Sequence, residues 1–337
     1  MLNIEQTVRE VEGIGPHGLT EDILLSTEPL LLKGMVDEWP LVQAAKQSPQ
    51  NADRYLRQFN QDETVGAFFA EPDAQGRVYY NQDLSGFNYQ PVIVKLDVVL
   101  DKLQQHLDDQ QPPAFYVGST TVDTYLPGLR TENDIEFGDI SPLASIWIGN
   151  RTRIAAHFDV PDNIACCAAG RRRFILFPPE EIKNLYVGPL DFNPAGQTIS
   201  MVDFSEPDYA KHPRFRDALS NARVAEMEPG DAIFIPSMWW HHVESLDGFN
   251  ILINYWWRRS PSFMGTPANA LEHALLSLRD LPEEQRKAWH EIFKFYIFDF
   301  NEEAIAHIPE ERRGVLSPID ETLARKLRAK LLNMLNR

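Results

Sequence analysis

Cysteine is almost missing from this chain: 337 residues include two, Cys166 and Cys167. Neighbouring cysteines cannot build a long-range disulfide framework, which excludes a stapled secreted scaffold and points to a reducing compartment, with the cytoplasm expected. Long apolar runs are missing too. No stretch reaches the roughly 20 residues of a membrane span, and the start, Met1-Leu-Asn-Ile-Glu-Gln, lacks the basic and apolar blocks of a signal peptide. A soluble chain without a membrane partner is expected. Basic charge is short, since 32 Lys and Arg against 49 Asp and Glu leave a net charge of −17. A field of that sign repels phosphate backbones, so nucleic acid is a disfavoured partner and a cationic peptide or small molecule fits better. Low-complexity linkers are absent as well. With 43% hydrophobic residues, the expectation is one elaborated domain able to bury a substantial core.

What the chain does contain is a split set of three polar residues. His157 and Asp159 lie in Ala-Ala-His157-Phe158-Asp159, and His241 follows much later in Pro236-Ser-Met-Trp239-Trp240-His241-His242. In a strand, residues two apart share a face, so His157 and Asp159 would project together while Phe158 packs on the other side. Two imidazoles and a carboxylate make the facial triad of non-haem Fe(II) oxygenases, which leaves three coordination positions open. A buried strand histidine is more commonly plain packing, so the surroundings of each piece matter. The first runs on through Asn163 and Cys166-Cys167 to Gly170-Arg171-Arg172-Arg173 and Phe177-Pro178-Pro179, a strand, a glycine turn and a second strand. The second is Glu228-Pro229-Gly230-Asp231 feeding a short apolar strand, then the aromatic-histidine run and Asn250-Ile-Leu-Ile-Asn254-Tyr255-Trp256-Trp257. Both read as hairpins.

These words resemble the cupin-type JmjC hydroxylases. Phe-Pro-Pro after the glycine turn, Pro-Gly-Asp before the late strand and Trp-Trp-His-His-Val-Glu-Ser carry the likeness. So does Glu28-Pro-Leu-Leu-Leu-Lys33-Gly34-Met-Val-Asp-Glu-Trp39-Pro40 upstream. Within the family the wording is most similar to the hydroxylases of an asparaginyl side chain and of the tRNA base wybutosine. The resemblance implies a mainly β fold with α elements: a double-stranded β-helix (cupin or jelly roll) with N-terminal α/β elements and a C-terminal helical segment. It implies His157, Asp159 and His241 as catalytic metal ligands, Fe(II) as the ion and 2-oxoglutarate as cosubstrate. Tyr116, Asn163, Arg172 and Asn254 fall at cosubstrate-binding positions. Two residues depart from the pattern. Arg172 stands where the family usually has Lys, and the two cations are not interchangeable; Ile154 stands where a Thr helps hold the same carboxylate. His242 must face away from His241 in a strand and is expected to pack. Trp147, Trp239 and Trp240 are candidate walls of a water-excluding pocket.

The implied reaction is Fe(II)- and 2-oxoglutarate-dependent hydroxylation of a C–H bond in a peptide, a protein side chain or a small molecule. The alternatives are a metallocupin enzyme that does not use 2-oxoglutarate, and a non-catalytic metal-binding module. A domain over 1–260 is followed by helical texture over 261–337, and residues 183–226 read as an insert able to cover the barrel mouth, with a short helix near Phe215. In the tail, Pro267 to Leu278 and Pro282 onward have helical spacing, and Ser317-Pro318 looks like a helix cap. Ile319, Leu323, Leu327, Leu331 and Leu335 repeat at intervals of four, a stripe that needs a partner surface. A homodimer is expected through it.

Overall fold

The computed structural model describes residues 2–194 and 196–336; Met1, Ala195 and Arg337 lie outside the described residues. It forms two compact units, Met1–Arg259 and Ser260–Arg337. Eight strands make the centre of the first: β1 (Leu143–Gly149), β2 (Arg153–Phe158), β3 (Asp162–Ala169), β4 (Arg172–Phe177), β5 (Arg223–Met227), β6 (Ala232–Ile235), β7 (Trp240–Ser245) and β8 (Asn250–Trp257). They are divided between two sheets, in the order β6-β3-β8-β1 within the larger and β5-β4-β7-β2 within the smaller. This is a double-stranded β-helix.

The interior between the sheets takes an apolar side chain from every one of the eight strands. Trp147, Ile154, Cys167, Phe174, Met227, Ile233, Val243 and Leu252 belong to one cluster. Strand alternation sends the other residues of β1, Ala144, Ile146 and Ile148, to the outer face. There they join a second core with the helices α1 (Pro40–Gln47), α2 (Pro49–Arg57) and α3 (Leu96–Gln105), through Leu41, Val42, Leu56 and Leu100. The larger sheet is therefore covered on both faces, and all eight residues of β3 are buried.

That two-sided burial corrects the hairpin reading. Gly170 sits at φ +66°, and a Cβ there would lie 2.4 Å from the Phe249 carbonyl oxygen. Only glycine fits this turn. It carries the chain from one sheet to the other instead of folding β4 back on β3. β3 pairs with β6 and β8, and β4 with β5 and β7; β6 and β7 likewise lie in different sheets. A flat hairpin would leave one face of β3 in water, whereas crossing the gap supplies a layer on each side.

The insert packs on the outer face of the smaller sheet. Its helix α4 (Phe215–Ser220) adds Phe215 and Ala218 to a cluster with Phe177, Phe204 and Trp240. In the second unit, helices α5 (Pro267–Ser277), α6 (Glu283–Phe293) and α7 (Glu321–Leu335) bury few side chains. The cap of α7 is Asp320, which accepts from the Leu323 backbone N–H at 2.7 Å, and not Ser317. Asp320 has extended backbone at the position directly before the first helical turn, so its carboxylate reaches an N–H that the Ser317 hydroxyl, one turn earlier, does not.

Candidate functional site

β2 and β7 are neighbours, and their register sets His157 directly opposite His241. The pairing then slips, because Val243 faces Ile154 and β2 holds one more residue than β7 over the same span. The bulge turns both Ile154 and His157 inward although they are three apart. Asp159 lies just beyond the end of β2. One ligand atom from each of His157, Asp159 and His241 lies within 4.8 Å of the others, a grouping able to hold a metal ion. The two imidazole centroids are 4.4 Å apart, and His241 Nε2 is 3.8 Å from Asp159 Oδ2.

The surrounding hydrogen bonds fix which nitrogens face the cluster. His157 Nδ1 lies 2.9 Å from the Ala155 carbonyl oxygen and His241 Nδ1 lies 3.0 Å from that of Trp239. A carbonyl can only accept, so each Nδ1 donates to it and each Nε2 is left to face the cluster. Burial, followed by the neighbouring His157 and only partly opposed by Asp159, pulls the His241 pKa down to about 4. A neutral imidazole is the ligand form. Its neighbour His242 faces the other way: it stacks on Phe204 at 4.4 Å and its Nε2 lies 3.2 Å from Glu244 Oε1. The donor set fits a divalent ion.

Asp159 has a partner that sequence reasoning missed. The Trp256 indole N–H donates to Asp159 Oδ2 at 3.1 Å, and Trp256 meets Trp147 edge to face at 5.9 Å. The signal was present in Asn254-x-Trp256, since both must share one face of β8, but nothing in the sequence says that this face looks at Asp159. Groups that orient metal ligands are commonly worth 10- to 100-fold in metal affinity. Trp256→Phe should keep the packing and weaken Mn(II) binding by about that factor, read by calorimetric titration with the melting temperature as control.

Deeper in the barrel lies Arg172, 1% exposed. It faces inward beside Phe174 and Leu176, while Arg171 and Arg173 face outward and pair with Asp247, and with Glu226 and Glu244. Arg172 has no carboxylate partner among the described residues, and its Nε and Nη2 lack any hydrogen-bond acceptor. Burial pulls its pKa down, which the Tyr116 phenol and Cys167 thiol only partly oppose. Tyr116 is buried at 7% exposure on the strand Ala114–Thr121, and burial pushes its phenol up against the lowering effect of the Arg172 charge. Asn254 donates through Nδ2 to Asn163 Oδ1 at 2.9 Å, which leaves Asn254 Oδ1 without a partner. An unpaired buried cation is costly, and a bound anion relieves that cost.

A cleft of about 880 Å³ opens at the opposite end of the barrel, around Lys33, Lys46 and Arg171. Its cations are already paired, with Asp231 at 2.5 Å, Asp37 at 2.7 Å and Asp247 at 2.9 Å. It offers no unmet cation.

A jelly roll with a His/Asp/His cluster at one end of its barrel defines a cupin able to hold a metal. Residues 16–263 match the family described as the Cupin-like domain, and the chain belongs to that family. Among curated relatives, it is 31% identical over 125 residues to "Lysine-specific demethylase JMJ31" of Arabidopsis thaliana, covering 36% of this chain and 22% of that protein. It is 31% identical over 163 residues to human "tRNA wybutosine-synthesizing protein 5", covering 43% and 45%. It is 29% identical over 150 residues to human "HSPB1-associated protein 1", covering 43% and 30%. The chain thus spans less than half the length of these relatives. A solved structure of E. coli ycfD aligns with TM-score 0.40 at 14% identity over 94% of this chain and 67% of that one.

Proposed function

We propose that this protein is an Fe(II)- and 2-oxoglutarate-dependent oxygenase that hydroxylates a C–H bond of a peptide, protein side chain or small molecule. The reading rests on one juxtaposition: two imidazoles and a carboxylate at the barrel mouth, with an unpaired buried guanidinium behind them. His157, Asp159 and His241 would hold the iron, which supplies oxygen activation when bound. Tyr116, Asn163, Arg172 and Asn254 would hold 2-oxoglutarate. The orphaned Nε and Nη2 of Arg172 lie on one edge of the guanidinium, and that edge matches the two oxygens of a carboxylate. Arg therefore suits the position that Lys fills elsewhere in the family. The net charge of −17 favours a cationic or neutral substrate over nucleic acid, and the free, buried Cys166 and Cys167 favour the cytoplasm. No helix among the described residues is long and apolar enough to cross a membrane. The test is to incubate the iron-loaded protein with 2-oxoglutarate and a panel of peptides and small molecules. Succinate release is expected. Metal binding without response to 2-oxoglutarate or N-oxalylglycine would leave a metallocupin that uses another chemistry.

We assign catalysis to residues 1–260 and self-association to 261–337. The second unit exposes large apolar side chains, among them Ile297 at 63%, Leu332 at 61% and Leu335 at 55%, more than a free helical surface usually presents. A second copy of the same segment is the proposed cover. Ending the chain at Ser317 should convert a dimer to a soluble monomer in light scattering; a full-length monomer would refute the dimer, and an insoluble truncation would show that the stripe is internal core.

A further inference from the structure

The Trp147 indole presents a second unmet donor inside the barrel, since its Nε1 is buried and has no hydrogen-bond partner. A buried N–H without an acceptor is rare in a folded protein and marks a place where a ligand or ordered water belongs. Its position is set by register. Trp147 pairs with Leu252 across β1 and β8, and Leu252 pairs with Cys167 across β8 and β3. The Arg172 charge acts on the Cys167 thiol from the facing sheet. On its other side, Trp147 stacks on Tyr116 with centroids 5.7 Å apart and 27° between planes, and the Tyr116 phenol also feels the Arg172 charge. Trp147 therefore meets Tyr116 inside the barrel, and Arg172 enters the same interior from the facing sheet. The ring is held there. A Cβ on Gly118 would lie 3.4 Å from it, and Trp256 closes the opposite side edge-on at 5.9 Å.

We propose that the Trp147 indole N–H is a further donor to the distal carboxylate of the cosubstrate, completing a pocket whose cation is Arg172. The proposal rests on the 2-oxoglutarate reading above and adds a residue to it. It also accounts for Ile154, which projects into the same interior cluster as Trp147 and offers no hydroxyl: the donor comes from the facing sheet instead. A carboxylate taken from water needs several donors besides its counter-charge, and Trp147 is one that no protein group already occupies.

Trp147→Phe keeps a ring between Tyr116 and Trp256 and removes only the N–H. With Mn(II) bound, its dissociation constant for 2-oxoglutarate should rise about 10- to 100-fold, the usual weight of a hydrogen bond to a charged group. Binding of 2-oxobutyrate, which lacks the distal carboxylate, should be unchanged. Adding Ile154→Thr to Trp147→Phe should recover part of the loss. If both ligands weaken together, Trp147 is only packing and the proposal fails. It fails equally if Trp147→Phe binds 2-oxoglutarate as the parent does, while the cosubstrate reading stands. If the parent binds neither 2-oxoglutarate nor N-oxalylglycine, the cosubstrate reading falls and this inference with it.

Discussion

His157→Ala and Asp159→Ala should each lower Fe(II) or Mn(II) affinity by more than about 100-fold, since removing a ligand should exceed the 10- to 100-fold that a group orienting a ligand is worth. The fold should survive. Both side chains are half-buried at the barrel mouth and add nothing to the apolar clusters, and such positions seldom cost much stability when truncated. His242→Ala should do the reverse, because His242 is 5% exposed and packs on Phe204 beside Glu244. Its loss should leave metal binding intact and cost about 1–3 kcal/mol of stability. Anaerobic titration calorimetry with thermal melts separates the two results. Unchanged metal affinity in both His157→Ala and Asp159→Ala would remove the metal centre.

Arg172→Ala should raise the dissociation constant for 2-oxoglutarate by roughly two to three powers of ten, because truncating one partner of a buried charge pair commonly costs about 2–5 kcal/mol. Arg172→Lys should recover part of the loss by restoring the charge without the fork. Arg171→Ala and Arg173→Ala should bind the cosubstrate normally, since both side chains point outward into ion pairs. Without ligand, the sign reverses. The guanidinium's pKa is lowered by burial, so carrying the charge costs the ligand-free fold stability. Arg172→Leu should therefore raise the melting temperature of the ligand-free protein while abolishing the shift that N-oxalylglycine gives the parent. A melting temperature that falls without ligand, or a ligand shift that persists, would refute the anion-receptor role.

The three-residue cluster was legible from sequence because strand alternation is a local rule. His157 and Asp159 sit two apart, and His242 must oppose His241. Helical spacing gave α5, α6 and α7. Sheet membership was not legible. The glycine turn at Gly170 looks the same whether the chain folds back or crosses over, and the choice depends on what covers the second face of β3. The partnerships that cross the barrel were hidden for the same reason. Trp256 reaches Asp159 and Trp147 stacks on Tyr116 between strands far apart in sequence, where no periodicity reports distance. The sequence by itself determined which side chains share a face, since that follows from backbone geometry along a single strand. Only the tertiary structure decided which faces meet, since that follows from burying two sheets against each other. The unpaired Arg172 guanidinium and Trp147 N–H became visible only once those faces were closed from water.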